Sequence, residues 1–207
     1  MTAPTPIHFW YDFGSNYSYL SVMRIEALAA KRGVPVVWRP FLLGPIFKAF
    51  GWDNSPFVLQ KEKGAYVWKD MAREGKKYGL PFRQPTSFPR TAVQAARVAL
   101  LGSQASWGAE FSRRIMLLNF ALDQEIGSDA LVFAVLRDMG LPADALMAAA
   151  RADEVKARLR DQVAEAHRLG VFGAPTFLVG EEMFWGNDRL EDAIRCAAGG
   201  PPPPPVS

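Results

Sequence analysis

The chain reads as an α/β fold. A small sheet is built β-α-β at the start and β-β-α at the end, and a large all-helical insertion interrupts it. Strand-like runs lie only near the two ends, at 7–13, 35–41, 176–180 and 183–185. From Gly44 to His167, apolar residues recur almost throughout at helical spacing, with Gly or Pro at the joints. With 207 residues, 49% of them hydrophobic, the chain can bury a full core, as one domain or one domain with an insertion.

The elements follow in order. Ile7-His8-Phe9-Trp10-Tyr11-Asp12-Phe13 has the composition of a buried first strand. Gly14-Ser15-Asn16-Tyr17-Ser18 turns into a helix over about 16–32, carrying Leu20, Met23, Ile25, Leu28 and Ala29 and ended by Gly33 in a C′ position. Pro35 to Phe41 is the second strand. Helices follow at 91–102, 107–120, 129–139, 142–150 and 152–169, with Ser128-Asp129 and Pro142-Ala143-Asp144 as two of their starts. Thr176–Gly180 and Met183–Trp185 form a strand pair around a tight turn, and Gly186-Asn187-Asp188 opens a last helix over 188–198. The order is that of a thioredoxin-like sheet: residues 1–43 and 168–207 form the sheet domain and 44–167 the inserted helical domain. Met1–Pro6 and the tail from Gly199 through five prolines to Ser207 are expected to be disordered.

Composition removes several function classes. Cys196 is the single cysteine, which excludes an internal disulfide and a cysteine-based zinc cluster. His8 is expected to top a strand and His167 to face solvent near a helix end; with no i, i+4 partner for either, no metal site is expected. The net charge of +3 is mild, and acidic residues are interleaved with basic ones, so no nucleic-acid partner is expected. No stretch approaches the ~20 apolar residues needed to cross a bilayer, and no signal-peptide pattern opens the chain. A soluble cytoplasmic protein with no membrane partner is the expectation.

Three segments carry chemistry. A strand, a tight turn and Cys-x-x-Cys at a helix start would mark a thiol–disulfide oxidoreductase, because the helix N-terminus lowers a thiol pKa. Here Ser15 and Ser18 occupy the two positions, so the electrostatic device stands without its sulfur and suggests that a thiol arrives with a ligand. Ala174-Pro175-Thr176 precedes a strand; it is either an ordinary trans-proline at a strand start or a cis peptide that turns the preceding backbone outward toward an extended ligand. Gly186-Asn187-Asp188-Arg189 opens a helix whose bare N–H groups suit an anion, while Asp188 could accept from an ammonium. A helix cap at Asn187 and dipole compensation by Asp188 would explain the same residues.

Tyr11-Asp12-Phe13-Gly14-Ser15-Asn16-Tyr17-Ser18-Tyr19-Leu20 resembles the opening of the 2-hydroxychromene-2-carboxylate isomerases. These are glutathione-dependent members of the kappa-class glutathione transferase group with the insertion architecture of DsbA-type oxidoreductases. The likeness continues through Phe41–Lys48, Lys63–Tyr66, Phe88-Pro89-Arg90, Gly170–Phe177 and Phe184–Leu190, and covers nearly all of Ile7 to Ala198. One departure is Asn16, where the family usually has proline; it leaves a backbone N–H beside the site.

The resemblance implies glutathione as cofactor and assigns roles. Ser15 would donate to the glutathione sulfur and favour thiolate. Ala174, before Pro175, would pair its backbone with the cysteinyl portion, and Asn187 and Asp188 would hold the γ-glutamyl carboxylate and ammonium. Asn54 and Lys63 look similar to the residues that complete the glutathione site. Lys48 and Arg83 are candidates for a substrate carboxylate, although a solvated surface charge also explains each. Trp10, Tyr17, Phe82 and Phe88 could line an aromatic pocket or pack in the core. The implied reaction interconverts 2-hydroxychromene-2-carboxylate and trans-o-hydroxybenzylidenepyruvate: a thiolate adds to the conjugated double bond, permits rotation and leaves. The implied partners are a small aromatic carboxylate and a second copy of the chain in a homodimer. A kappa-like transferase acting on other electrophiles and a non-catalytic peptide-binding relative of disulfide oxidoreductases remain open alternatives.

Overall fold

A computed structural model describes residues 3–200. Four strands form one sheet in the order β2-β1-β3-β4, with β1 Ile7–Tyr11, β2 Val36–Pro40, β3 Thr176–Val179 and β4 Glu182–Trp185. β1 runs parallel to β2 and antiparallel to β3, which pairs antiparallel with β4. Phe9 stands opposite both Trp38 and Phe177. Between β1 and β2 lie α1 Asn16–Val22 and α2 Ile25–Ala30. Between β2 and β3 the chain is helical: α3 Leu43–Ala49, α4 Pro56–Leu59, α5 Lys61–Tyr78, α6 Val93–Gly102, α7 Gly108–Phe120, α8 Asp129–Asp138, α9 Ala143–Arg151 and α10 Asp153–Arg168. After β4 a 3-10 turn, Asn187–Arg189, leads into α11 Leu190–Ala197.

Both sheet faces are covered, which is why β1 is apolar at nearly every position. Ile7, Phe9, Tyr11 and Phe13 point into the main core, which also holds Phe111, Ile115 and Phe120 of α7. Phe9 stacks on Tyr11 and Phe177, with ring centroids 5.1 and 5.2 Å apart. Trp10 points to the opposite face, among Phe41, Ile46, Val163 and Val171. One apolar cluster therefore joins the sheet to the helices rather than leaving each with its own core.

Several boundaries differ from the sequence reading, some through a tertiary contact and one through local proline content. β1 stops at Tyr11 because Asp12 leaves the ladder; its carboxylate accepts from the Gly14 N–H at 2.6 Å and the Leu43 N–H at 2.7 Å. The helix expected over 16–32 is two helices. Arg24 sits at the break, its guanidinium 3.5 Å from the centre of the Tyr78 ring and bonded to Asn187 and Glu191. Residues 79–92 form no helix, in keeping with Pro81, Pro85 and Pro89. His8 lies within β1, where its Nδ1 faces Arg39, instead of topping the strand. The expected terminal disorder holds neither for Thr5, whose N–H donates to Ala197 O, nor for Gly199 and Gly200, which bond back onto α11; residues 1–2 and 201–207 lie outside the described residues.

Candidate functional site

The C-terminal end of β1, the N-terminus of α1, the loop before β3 and the turn after β4 meet at a cleft of about 1450 Å³, closed on its far side by α3, α4 and α5. Ser15 is the N-cap of α1 and is 8% exposed. Its Oγ accepts from the Ser18 N–H at 3.2 Å and donates to Ala174 O at 2.9 Å. The cap fixes the oxygen, while the hydroxyl hydrogen can turn to any better acceptor entering the cleft. Ala174-Pro175 is a cis peptide, so the sequence alternative of a trans-proline is ruled out here. Ala174 lines the cleft; Pro175 does not, and its carbonyl instead accepts from the Gly186 N–H at 3.0 Å, tying the two loops together. Phe88-Pro89 is a second cis peptide on the cleft wall.

Asn187 and Asp188 both line the cleft but behave differently. Asn187 is 5% exposed, and its Oδ1 accepts from Ser21 Oγ and Arg24 Nη1, both at 3.1 Å. It is therefore not a helix cap; Gly186, at φ 110, holds that position without a side chain. The Asp188 side chain is 76% exposed, its nearest cation being Arg189 at 3.8 Å.

The cleft also collects Lys48, Asn54, Lys63, Tyr17 and Phe88, drawn from three separate groups of the sequence reading: the pair completing the glutathione site, the carboxylate cations and the pocket aromatics. Asn54 Oδ1 accepts from the Ser55 N–H at 2.8 Å. Arg83, Phe82 and Trp10 do not line the cleft. Arg83 is a surface residue, 3.7 Å from Asp123, and its backbone N–H caps Phe120 O. Phe82 packs against Trp68 and the backbone of α5, and Trp10 is core.

The structure adds residues that sequence reasoning missed. Tyr17 donates to Asp70 Oδ2 at 2.7 Å, and burial together with that carboxylate raises the phenol far above its ordinary pKa, so Tyr17 is a neutral donor. Asp70 lies on α5 with Lys63, Val67, Glu74 and Lys77, a cleft-facing stripe whose i, i+3/i+4 spacing was legible in the sequence. Phe50, Trp52, Phe172 and Trp185 form an exposed aromatic mouth. Asp12 is held above the usual carboxylate range by burial, opposed by the two backbone N–H groups it accepts.

The cleft contains no sulfur nucleophile of its own. Cys196 lies on α11 outside the cleft, and burial pushes its thiol up, away from thiolate. Among the described residues no group of three or more His, Cys, Asp or Glu could hold a metal ion, and no helix is long and apolar enough to cross a membrane.

A four-stranded sheet with a serine-capped helix start facing a cis-proline loop defines a protein of the thioredoxin-like class, here with a helical insertion. Within that class, the family of DsbA-like thioredoxin domains matches residues 6–194, and the chain belongs to it. It is 29% identical over 188 residues to a 2-hydroxychromene-2-carboxylate isomerase of Sphingobium xenophagum, covering 89% of this chain and 94% of that protein. It is 25% identical to glutathione S-transferase kappa 1 of Rattus norvegicus, covering 91% of this chain and 89% of the relative. A solved 2-hydroxychromene-2-carboxylate isomerase superposes with a TM-score of 0.81 at 24% identity, over 89% of this chain and 90% of the other.

Proposed function

We propose that the protein is a glutathione-dependent isomerase of 2-hydroxychromene-2-carboxylate or a closely related aromatic carboxylate. The observation that carries this reading is Ser15: a sheltered hydroxyl at a helix start, aimed at the Ala174 carbonyl, in a cleft with no protein thiol. Relatives named as isomerases and as kappa-class glutathione transferases support it.

The cleft residues fit glutathione. The hydroxyl of Ser15 can turn from Ala174 O to a sulfur, and the Ala174 backbone on the cleft wall then suits an extended peptide. Asp188 is open to an ammonium, and Lys63 with Asn54 suits a carboxylate at the other end. When bound, glutathione supplies a thiolate able to add reversibly to a conjugated double bond, which permits rotation without net oxidation. The chain's part is to favour the thiolate through Ser15, orient it against the cis-proline loop, and balance the substrate carboxylate, a role that falls to Lys48, one of several cations lining the cleft. Tyr17, neutral and anchored by Asp70, offers a phenolic oxygen to a substrate hydroxyl.

The open aromatic mouth also favours a second reading, transferase action on other electrophiles with the same thiolate. Calorimetric titration with glutathione, followed by isomerisation assays on 2-hydroxychromene-2-carboxylate with and without glutathione, separates the cases. Binding with glutathione-dependent isomerisation is the expected result. Binding without isomerisation favours the transferase, and no binding overturns both.

A further inference from the structure

Phe13 and Gly14 share the peptide unit one residue upstream of the Gly14–Ser15 bond, and that unit is held at both ends. Its N–H donates to Asp12 Oδ1 at 2.6 Å, and its carbonyl, on Phe13, accepts from Asn119 Nδ2 at 3.0 Å. Asn119 lies on α7 and is 1% exposed. A carboxamide has an acceptor on one side and donors on the other, so whatever faces its oxygen decides where its donors point. Arg90 Nη1 faces that oxygen at 3.0 Å, with a longer contact of 3.4 Å to the Asn119 backbone carbonyl.

Arg90 is itself fixed. Its side chain is 4% exposed, and Nη2 donates to Asp123 Oδ1 at 2.5 Å. The Asp123 carboxylate also accepts from the Thr86 N–H at 2.9 Å and the Thr86 hydroxyl at 3.1 Å. The planar guanidinium can hold Asp123 and Asn119 together; a lysine ammonium, a point charge on a flexible stem, cannot reproduce that fork. Arg90 itself borders the cleft, but neither Asn119 nor Asp123 does, so ligand contact does not account for those two, and Asp123→Asn perturbs the network from outside the cleft. The Arg90 backbone also runs close to the turn: a Cβ on Gly14 would lie 2.8 Å from the Arg90 carbonyl, so only glycine fits there.

We propose that Arg90, oriented by Asp123, is a positioning residue that sets where the Ser15 oxygen sits through Asn119 and the Phe13–Gly14 peptide. The consequence for glutathione rests on the function proposed above, whereas the effect on the turn does not. Hydrogen bonds weaken steeply with misalignment, so a turned peptide here reduces what Ser15 gives to a thiolate, and in Asp123→Asn it does so without removing any group from the cleft.

The test reads thiol pKa from ultraviolet thiolate absorbance against pH in two settings: glutathione bound to the protein, and a glutathione-free protein carrying Ser15→Cys as a reporter. In both, Arg90→Lys and Asp123→Asn are expected to raise the thiol pKa by about half a unit to one unit. Glutathione affinity is expected to change by less than about threefold. Thermal unfolding checks that each variant folds; if Arg90→Lys does not, the isosteric Asp123→Asn decides the matter. An unchanged reporter pKa in folded variants overturns the proposal, and so does lost thermal stability with no movement of pKa, which makes the network merely structural. Failure of the parent protein to bind glutathione counts against the proposed function alone, and the reporter thiol then decides the positioning role.

Discussion

Replacing Ser15 by alanine removes two hydrogen bonds of different kinds, and the structure allows them to be separated. The first is the cap: Ser15 Oγ accepts from the Ser18 N–H at 3.2 Å, and losing an N-cap costs about 0.5–2 kcal/mol of stability. The second is the donated bond, which goes to Ala174 O at 2.9 Å in the free protein and would go to the sulfur of bound glutathione. A hydrogen bond to a charged group in a site only 8% exposed is worth about 1.5–3 kcal/mol. At about 1.36 kcal/mol per unit, that raises the bound thiol pKa by about one to two units. Ser15→Gly serves as the partner variant, because glycine at an N-cap costs only about a few tenths of a kcal/mol relative to serine. Both variants should therefore raise the thiol pKa equally while only alanine lowers stability appreciably. Ultraviolet titration of bound glutathione gives the first quantity and urea unfolding the second. A thiol pKa unchanged in both variants would refute the role given to Ser15, and a pKa shift that tracked stability instead would assign it to a displaced helix.

Asp188 tests the ligand's identity. Because its side chain is 76% exposed, an ammonium pair there is worth up to about 1 kcal/mol, so Asp188→Asn should weaken glutathione by up to about fivefold. Its preference for glutathione over cysteinylglycine, measured by competition, should fall by the same factor; an unaltered preference removes Asp188 from the site. Cys196→Ala should retain full glutathione-dependent turnover, because that thiol lies outside the cleft and its pKa is raised by burial. A large loss of rate in the folded variant would implicate a protein thiol. Asp123 sets part of the acid sensitivity: the Thr86 backbone N–H, then Arg90, hold its carboxyl at about 2 against an ordinary 3.8. The folded state thus binds this proton less readily than the unfolded one, and the resulting stability is present above about 3.8 and lost as pH falls toward about 2. Unfolding midpoints over that window should fall in the parent protein and flatten in Asp123→Asn; equal slopes would contradict the assignment.

Much of the site was legible in the sequence because local patterns specify it. A strand, a Gly-Ser turn and a capped helix are written in consecutive residues, as are the Ala174-Pro175 loop and the Gly186 turn. Ser15, Ala174, Asn187 and Asp188 accordingly come together at one cleft, with Asn54, Lys63 and Lys48 on its other wall. Sequence reasoning went astray where side chains had two local explanations. Arg83 and Arg90 are both basic residues in a proline-rich loop, and only packing shows that Arg83 faces outward to Asp123 while Arg90 is buried. Trp10 and Phe82 differ from Phe88 only in which way the backbone turns them.

The sequence by itself determined the class of fold, the order of its strands and helices, and the replacement of a cysteine pair by Ser15 and Ser18, because periodicity and turn chemistry act over a few residues. Tertiary structure alone decided where β1 ends, where the first helix breaks and how the Ser15 turn is held. Asp12 meets Leu43 across 31 residues, Asn119 meets Phe13 across 106, and Ser15 meets Ala174 across 159. Such bonds form between groups that only the fold brings together, and at Asp12 one overrides a local preference, because an unpaired buried polar group costs more than a shortened strand.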